Sequence, residues 1–149
     1  MDAILTDPKV MHIRAFARSD TEVVIQLWET CGLTRPWNDP RKDIERKLLV
    51  QPELFVVGEL DSHIVASAMG GYDGHRGHVY YLAVAPDQSG KGLGRALMTH
   101  LETEFVSMGC PKTNVFVRAD NTVAAGFYEK LGFVRETSPA YGHRLISDV

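Results

Sequence analysis

Apolar and polar positions alternate with two different periods along the chain, and each change of period marks the boundary of a predicted element. Residues 12–16 alternate between polar and apolar side chains, which predicts a half-buried strand. Apolar side chains then recur at steps of three or four over residues 23–31, which predicts a helix. Ser19 and Glu22 form the pattern of a capping box before this helix, and Gly32 is typical of its end.

The middle of the chain is predicted to form a short helix and two hairpins. Asp39 followed by Pro40 is typical of a helix start, and this helix is predicted to reach about residue 49. The turn of the second hairpin contains Asp73 and Gly74, because this dipeptide supplies the positive φ angles of a tight turn. The strands of the two hairpins are predicted at residues 54–59, 64–70 and 79–84.

The rest of the pattern completes a sheet with helices on both faces. The strand at residues 79–84 is apolar almost throughout, and a crossover helix makes it parallel to the strand at 113–117. We therefore predict an α/β fold with an α+β type of mixed sheet, in which about seven mostly antiparallel strands are flanked by about four helices. The later elements are predicted as a helix over residues 93–108, a strand at 113–117, a helix over 124–131, and strands at 133–136 and 141–146.

Length, charge and cysteine content narrow the functional classes. The 149 residues suit one domain, which we place at residues 11–149 after an N-terminal extension at residues 1–10. A formal charge of −3 disfavours nucleic acid as a partner, because binding a phosphate backbone needs positive charge. No apolar run has the length of a membrane span, so no membrane partner is expected. Two cysteines are too few for a disulfide framework, which favours a reducing, cytoplasmic location.

A glycine-rich loop at residues 88–95 connects a buried strand to the longest predicted helix. Its free backbone N–H groups and the positive end of the helix dipole are expected to point at one spot. Lys91 and Arg95 add positive charge there, and no acid follows Asp87 until Glu102, which is unusual at a helix start. A bound phosphate relieves this repulsion. A flexible loop with solvated basic side chains is the alternative interpretation.

The spacing of the glycines excludes two familiar phosphate motifs. A P-loop needs Lys and then Ser or Thr after its second glycine, and here Leu93 follows Gly92. A dinucleotide fingerprint that starts at Gly90 needs a glycine where Arg95 stands. Neither ATP nor NAD is therefore indicated as the ligand.

Three segments and one asparagine carry a family resemblance. They are Leu82-Ala83-Val84-Ala85-Pro86, Gly90-Lys91-Gly92-Leu93-Gly94-Arg95-Ala96-Leu97, Asn121, and Phe127-Tyr128-Glu129-Lys130-Leu131-Gly132-Phe133. In this order they resemble the GNAT superfamily of acyl-CoA-dependent N-acetyltransferases. The segments at 70–77 and 35–40 are further similar to the small bacterial acetyltransferases called YpeA. The resemblance implies a GNAT-like fold and an enzyme that uses acetyl-CoA as cosubstrate and no metal.

The resemblance also implies how the cosubstrate lies. Its pyrophosphate is expected on backbone N–H groups of residues 90–95, and its pantetheine arm near Leu82 and Val84, where a bulge opens the sheet in this family. The Asn121 side chain is expected to contact the same arm. Ser89 departs from the Gln or Arg usual in the family, so weaker cofactor affinity is expected. The implied cofactor-binding set is Leu82, Ala83, Val84, Ser89, Gly90, Lys91, Gly92, Leu93, Gly94, Arg95, Asn121 and Tyr128.

Acetyl transfer to an amine needs a base, a stabilised oxyanion and a proton for the departing thiolate. Tyr128 matches the family tyrosine that serves as general acid, although it also lies on an apolar helix stripe, so a purely structural role is the alternative. His78 occupies the position of a catalytic glutamate in some members, and imidazole exchanges a proton near neutral pH. Tyr80 or water is the alternative base, and a plain strand-end role is the alternative for His78. The backbone N–H of Leu82 is the candidate oxyanion donor.

The amine is expected on the side edged by the loop at residues 34–38 and the turn at 72–76. The candidate substrate-binding residues are Trp37, Tyr72, Arg76 and Tyr80. His75, His78 and Asp73 are spaced like metal ligands, but turn chemistry explains the aspartate, so no metal site is predicted. The predicted partner is a small-molecule or peptide amine, and the chain is expected to be a monomer or a homodimer. A non-catalytic acyl-CoA-binding or sensory module is the alternative function.

Overall fold

A five-stranded sheet lies at the centre of the computed structural model, which describes residues 10–149. Its strands are β1 His12–Ala15, β2 Phe55–Leu60, β3 His63–Tyr72, β4 Gly77–Val84 and β5 Thr113–Asn114. Their spatial order follows the chain; β1 to β4 pair antiparallel, and β4 and β5 pair parallel. The predicted mixed, mostly antiparallel sheet with one parallel pair is confirmed.

Four helices flank the sheet in the part of the chain that the structure describes, as the sequence predicted. They are α1 Thr21–Thr30, α2 Pro40–Lys47, α3 Leu93–Ser107 and α4 Thr122–Lys130. The predicted start of α2 is confirmed, because the Asp39 carboxylate accepts a backbone N–H of the first turn at 2.9 Å. The predicted Ser19 cap of α1 is wrong, because a 3₁₀ turn at Arg18–Asp20 comes first. Asp20 Oδ2 accepts from the Ala17 N–H at 2.8 Å and closes that turn.

The predicted number of about seven strands is also wrong. The last two predicted strands, residues 133–136 and 141–146, do not join the sheet of the described chain, and β5 ends after two residues. Side chains hold the C-terminal segment instead of a backbone ladder. Asp148 is buried against α2, where Arg46 donates to its carboxylate at 2.6 Å. Alternation of apolar and polar residues does not report such a contact between distant side chains.

Two apolar clusters lie on opposite faces of the sheet. Trp28 and Phe55 are fully buried between the sheet and the helices α1 and α2. Leu101 and Phe105 are buried between the sheet and α3 on the other face, and apolar side chains of α4 pack against the same cluster. The predicted covering of both faces by helices is confirmed.

Two further findings concern membrane-spanning helices and cysteines. Within residues 10–149, no helix has the length and apolar character needed to cross a membrane. Cys31 and Cys110, the two cysteines, are both free thiols. The predicted N-terminal extension at residues 1–10 lies outside the described residues apart from Val10.

Candidate active site

The sheet opens between β4 and β5. The two strands pair only where Gly77 faces Thr113 and His78 faces Asn114, at the beginning of β4. Residues 79–84 therefore have no parallel neighbour within the described chain. A sheet that separates in this way leaves backbone N–H and C=O groups free to bind an extended ligand.

A bulge in β4 lies beside this opening. Met69 pairs with Tyr80 and Ser67 pairs with Ala83, so two residues of β4 oppose the single Ala68 of β3. The extra residue shows in the backbone, because Tyr81 has a φ of 53°, in the left-handed region that non-glycine residues rarely occupy. The bulge that the family resemblance implied is present.

The bulge reverses which side chains of β4 face which layer. Val79 packs in the α3 cluster, so His78 and Tyr80 point to the α1 side by strand alternation. Beyond the bulge, Tyr81 and Ala83 pack in the α1 cluster, whereas Leu82 and Val84 pack with α3. Tyr80 and Tyr81 therefore share the α1 side of the sheet, and the Leu82 side chain lies on the α3 side.

The N-terminus of α3 has no cap of its own. Gly92 occupies the cap position with a φ of 78°, no side chain accepts from the first turn, and no acid lies in that turn. The first backbone bond of the helix joins the Ala96 N–H to the Gly92 carbonyl at 3.0 Å. The N–H groups of Leu93, Gly94 and Arg95 find no acceptor among the described residues. Free donors and a helix dipole together favour an anion at this point.

The two basic side chains of the loop differ in whether they are already bound. The ammonium group of Lys91 donates to the Gln88 side-chain oxygen at 2.9 Å, whereas the exposed Arg95 side chain has no partner within residues 10–149. Ser89 uses its backbone N–H inside the loop, where it donates to the Pro86 carbonyl at 3.3 Å. The Ser89 N–H is thus already occupied, as is the Gln88 N–H, which donates to the Ala85 carbonyl at 2.8 Å.

Gly94 brings three elements together at the start of α3. A Cβ atom at this position would lie 3.1 Å from Phe127 of α4 and 3.8 Å from Val84 of β4. A side chain here would therefore push α4 away from the opening. The glycine keeps the loop, α4 and the end of β4 in contact.

Two of the predicted site residues, Asn121 and Tyr128, lie at the start of α4 and within it. Asn121 caps α4, because its side-chain oxygen accepts from the Ala124 N–H at 3.0 Å, and its amide N–H₂ group remains as a donor. Tyr128 packs edge-on against Phe127 and Phe133, with ring centroids 5.0 and 5.4 Å apart. Burial raises the pKa of Tyr128 to about 12. No group of the described chain makes a hydrogen bond to its hydroxyl, which leaves the O–H free for a ligand.

An aromatic cluster lies on the α1 side of the opening. The rings of His78 and Tyr80 both stack against Phe116, with centroids 5.8 and 6.0 Å away. His78 Nε2 lies 3.4 Å from Asp73 Oδ2, while His78 Nδ1 is buried without a partner. Backbone N–H groups of Arg76 and His75, above all, lower the pKa of Asp73 to about 2, so this carboxylate is ionised.

The remaining predicted substrate residues are not gathered at one point. Tyr72 ends β3 and Arg76 lies in the β3–β4 turn; their side chains donate to the Gly74 and His75 carbonyls of this turn at 3.2 and 2.9 Å. This turn is at the opposite end of β4 from Leu82. Trp37 is half exposed and lines an open groove of about 570 Å³. The groove is lined by Trp37, Arg46, Gly142, His143, Arg144, Leu145 and Ile146.

Several residues of this region were missed by the sequence analysis. Phe116 was counted as a strand residue, and no pattern indicated that the C-terminal segment lines a groove with Trp37. Trp28 and Ser67, which contact the bulge, read as ordinary core residues. Within residues 10–149, no three His, Cys, Asp or Glu side chains are arranged to hold a metal ion.

Comparison with known proteins identifies the family. The family model described as "Acetyltransferase (GNAT) family" matches residues 21–133. An acetyltransferase of Yersinia enterocolitica is 54% identical over 138 residues, and one of Pectobacterium atrosepticum is 52% identical over 138; each alignment covers 93% of this chain and 98% of the relative.

Solved structures share the fold. Ard1 from Thermoplasma volcanium is similar with a TM-score of 0.73 and 28% identity, over 83% of this chain and 82% of that one. The ribosomal-protein-S18-alanine N-acetyltransferase from Escherichia coli gives 0.71 and 25%, over 86% and 80%. With its mixed sheet, its open β4–β5 pair and these relatives, the chain belongs to the acetyltransferase (GNAT) family.

Proposed function

We propose that this acetyltransferase moves the acetyl group of acetyl-CoA to a primary amine by direct attack within a ternary complex. Family membership supports the acyl-CoA donor. The observation that best supports the proposal is the uncapped N-terminus of α3, which lies beside the opening between β4 and β5. Acetyl-CoA carries a diphosphate next to an extended amide-bearing arm. Its binding site therefore needs an anion site and an open strand edge next to each other.

The pyrophosphate of the cosubstrate is assigned to the loop and first turn of α3. The N–H groups of Leu93, Gly94 and Arg95 have no other acceptor in the described chain. Gly90 and Gly92 adopt φ angles of 77° and 78°, which no residue with a side chain adopts without strain. The free Arg95 guanidinium supplies charge, and Lys91 contributes less because it is held by a glutamine side chain.

The pantetheine arm is assigned to the opening beside β4. Leu82 and Val84 flank Ala83, which is paired with Ser67 of β3. Alternate residues of a strand direct their backbone groups to opposite edges, so Leu82 and Val84 direct theirs toward the opening. The Asn121 amide supplies a further N–H donor from α4.

The reaction then needs little from side chains. The amine attacks the thioester carbonyl, and the Leu82 N–H stabilises the oxyanion that forms. When the C–S bond breaks, the Tyr128 hydroxyl donates to the departing sulfur. Its pKa of about 12 keeps it protonated at every physiological pH.

We assign His78 as the base that accepts the proton of the amine through a water molecule. Leu82 lies four positions after His78, which is about 13 Å along a strand and too far for direct contact between His78 and the reacting carbon. Tyr80 is the weaker candidate base, because burial raises its pKa and holds the phenol neutral. Asp73 Oδ2 lies 3.4 Å from Nε2 and is placed to orient the imidazole ring.

The amine itself is assigned to the α1 side, between the aromatic cluster and the groove beside Trp37. Both peptide and small-molecule amines suit an open groove, and one structural relative is named for an alanine of ribosomal protein S18. Residues 11–149 are proposed to form the single catalytic domain, as a monomer or homodimer. Two unpaired thiols fit a cytoplasmic location.

A screen of acceptors tests this function. The protein is incubated with labelled acetyl-CoA and a panel of N-terminal peptides, lysine peptides, amino acids, polyamines and amine drugs. Released thiol and acetylated product are measured together. Transfer to at least one primary amine, lost when acetyl-CoA is replaced by ATP, supports the proposal. Tight CoA binding without transfer to any amine contradicts it and favours a non-catalytic acyl-CoA-binding module.

A further inference from the structure

We propose that Ser67 is a positioning residue for the reaction, because its hydroxyl holds the carbonyl of Tyr81 and so fixes the bulge that aims the Leu82 N–H. This inference rests on the proposed function, in which Leu82 binds the oxyanion. Ser67 lies on β3 opposite Ala83, one residue beyond the bulge.

A chain of hydrogen bonds fixes the direction of the Ser67 hydroxyl. Trp28 donates its indole N–H to Ser67 Oγ at 2.9 Å, and Ser67 Oγ donates to the Tyr81 carbonyl at 3.1 Å. An indole N–H only donates and a carbonyl only accepts, so the single hydroxyl hydrogen must point to Tyr81. Trp28 and Ser67 are both 0% exposed, so water does not compete for these bonds.

Tyr81 is the residue at which the backbone is strained. Its φ of 53° is unfavourable for a residue with a Cβ atom and needs support from its surroundings. Its ring stacks on Trp28 with centroids 3.8 Å apart, and its hydroxyl donates to Asp43 at 2.6 Å. The ring and the hydroxyl hold the Tyr81 side chain, and the Ser67 hydroxyl holds the Tyr81 carbonyl.

The peptide unit that Ser67 holds also contains the proposed oxyanion donor. The Tyr81 carbonyl and the Leu82 N–H belong to one planar group, so fixing the oxygen fixes the direction of the N–H. Because the C=O and N–H bonds of a trans peptide lie in one plane and point in opposite directions, a carbonyl directed at Ser67 directs the N–H away from β3, toward the opening. The flanking residues Ala66 and Ala68 are fully buried, and the hydroxyl stands out among them.

The test compares three variants of the full chain. Ser67→Ala removes the hydroxyl, and Trp28→Phe keeps the hydroxyl but loses more packing. Val24→Ala is the control, because Val24 is fully buried in α1 and its side chain makes no hydrogen bond to Ser67 or Tyr81. We measure kcat, the KM for acetyl-CoA and the melting temperature. Ser67→Ala is expected to lower kcat by about 10-fold to 100-fold, the range for a slightly misplaced group. Val24→Ala should leave kcat unchanged.

The order of the variants separates positioning from stability. A positioning role predicts the larger fall in kcat for Ser67→Ala and the larger fall in melting temperature for Trp28→Phe. The inference is overturned when kcat follows the melting temperature through all three variants, or when Ser67→Ala keeps the wild-type kcat.

A measurement without turnover keeps this result independent of the proposed function. The amide resonance of Leu82 is followed by NMR as CoA is added to the wild type and to each variant. Ser67→Ala is expected to change the Leu82 response, and Val24→Ala is expected to leave it unchanged. An identical response in Ser67→Ala overturns the inference, whereas absence of turnover in the wild type overturns only the proposed function.

Discussion

Replacing Tyr128 by Phe removes one hydroxyl and leaves the ring in its packing against Phe127 and Phe133. The pKa of about 12 lies roughly 3.5 units above that of an ordinary thiol, which makes complete proton transfer to a free thiolate uphill by about 5 kcal/mol. The hydroxyl therefore acts mainly as a hydrogen-bond donor while charge develops on sulfur. A bond to a charged group contributes about 1.5–3 kcal/mol, so kcat should fall about 10- to 150-fold.

The assay separates chemistry from binding and folding. Initial rates of thiol release give kcat, calorimetry gives the Kd for CoA, and thermal melting reports stability. Because the Tyr128 hydroxyl bonds to no group of the described chain, both Kd and the melting temperature should stay close to the wild type. Tyr141→Phe is the matched control, since this tyrosine is 95% exposed and should change none of the three quantities.

Two results would refute this role. An unchanged kcat would remove Tyr128 from the reaction, and an equal loss of CoA affinity would make it a binding residue. The pH profile adds a check, because a phenol with a pKa of about 12 is neutral below pH 10. A basic limb below pH 10 that disappears in Tyr128→Phe would show that the hydroxyl ionises there and that burial does not govern it.

Three further variants test other parts of the site and the fold. His78→Ala should abolish the acidic limb in the pH profile of kcat/KM, because the imidazole is the proposed proton acceptor. Gly92→Ala should raise the Kd for CoA about 5- to 30-fold, since a Cβ at positive φ costs roughly 1–2 kcal/mol, while Gly142→Ala in open space serves as control. Asp148→Asn should lower the unfolding free energy in urea at pH 7, because it removes the negative charge that pairs with Arg46.

The outcomes that contradict these predictions are equally specific. If the acidic limb persists in His78→Ala, the ionisation that sets this limb belongs to water or to the substrate. An unchanged Kd in Gly92→Ala means that CoA does not need the left-handed turn. For Asp148, Arg46 and the Asp39 N–H lower the folded pKa to about 2 from an ordinary 3.8. Asp148 therefore contributes to the unfolding free energy above pH 4, and this contribution is lost toward pH 2. A difference in unfolding free energy between the wild type and Asp148→Asn that stays constant down to pH 2 would contradict this prediction.

Sequence patterns predicted the fold where neighbouring residues determine the backbone. Asp73 is one example, because its Oδ1 accepts the N–H groups of His75 and Arg76 at 2.8 Å and thus closes the turn that the Asp-Gly pair indicated. Asp39 likewise caps α2 within two residues. The uncapped glycine loop before α3 was recognisable for the same reason, since its charges and glycines lie within one segment.

The pattern failed where distant residues decide the structure. A strand was predicted at residues 141–146, but Asp148 binds Arg46 of α2, more than 100 residues earlier, and holds the segment there. The bulge was expected only from the family resemblance, because residues 79–84 are apolar almost throughout and hide the change of face at Tyr81. The hydroxyl that holds the bulge lies on another strand, at Ser67, and no local pattern reports it.

A structure of the protein crystallised with CoA tests the central assignment most directly. The pyrophosphate oxygens should lie about 2.8–3.1 Å from the N–H groups of Leu93, Gly94 and Arg95, with the pantetheine arm between β4 and β5. CoA bound elsewhere on the molecule, or a first turn of α3 that contacts no phosphate oxygen in the complex, would contradict it.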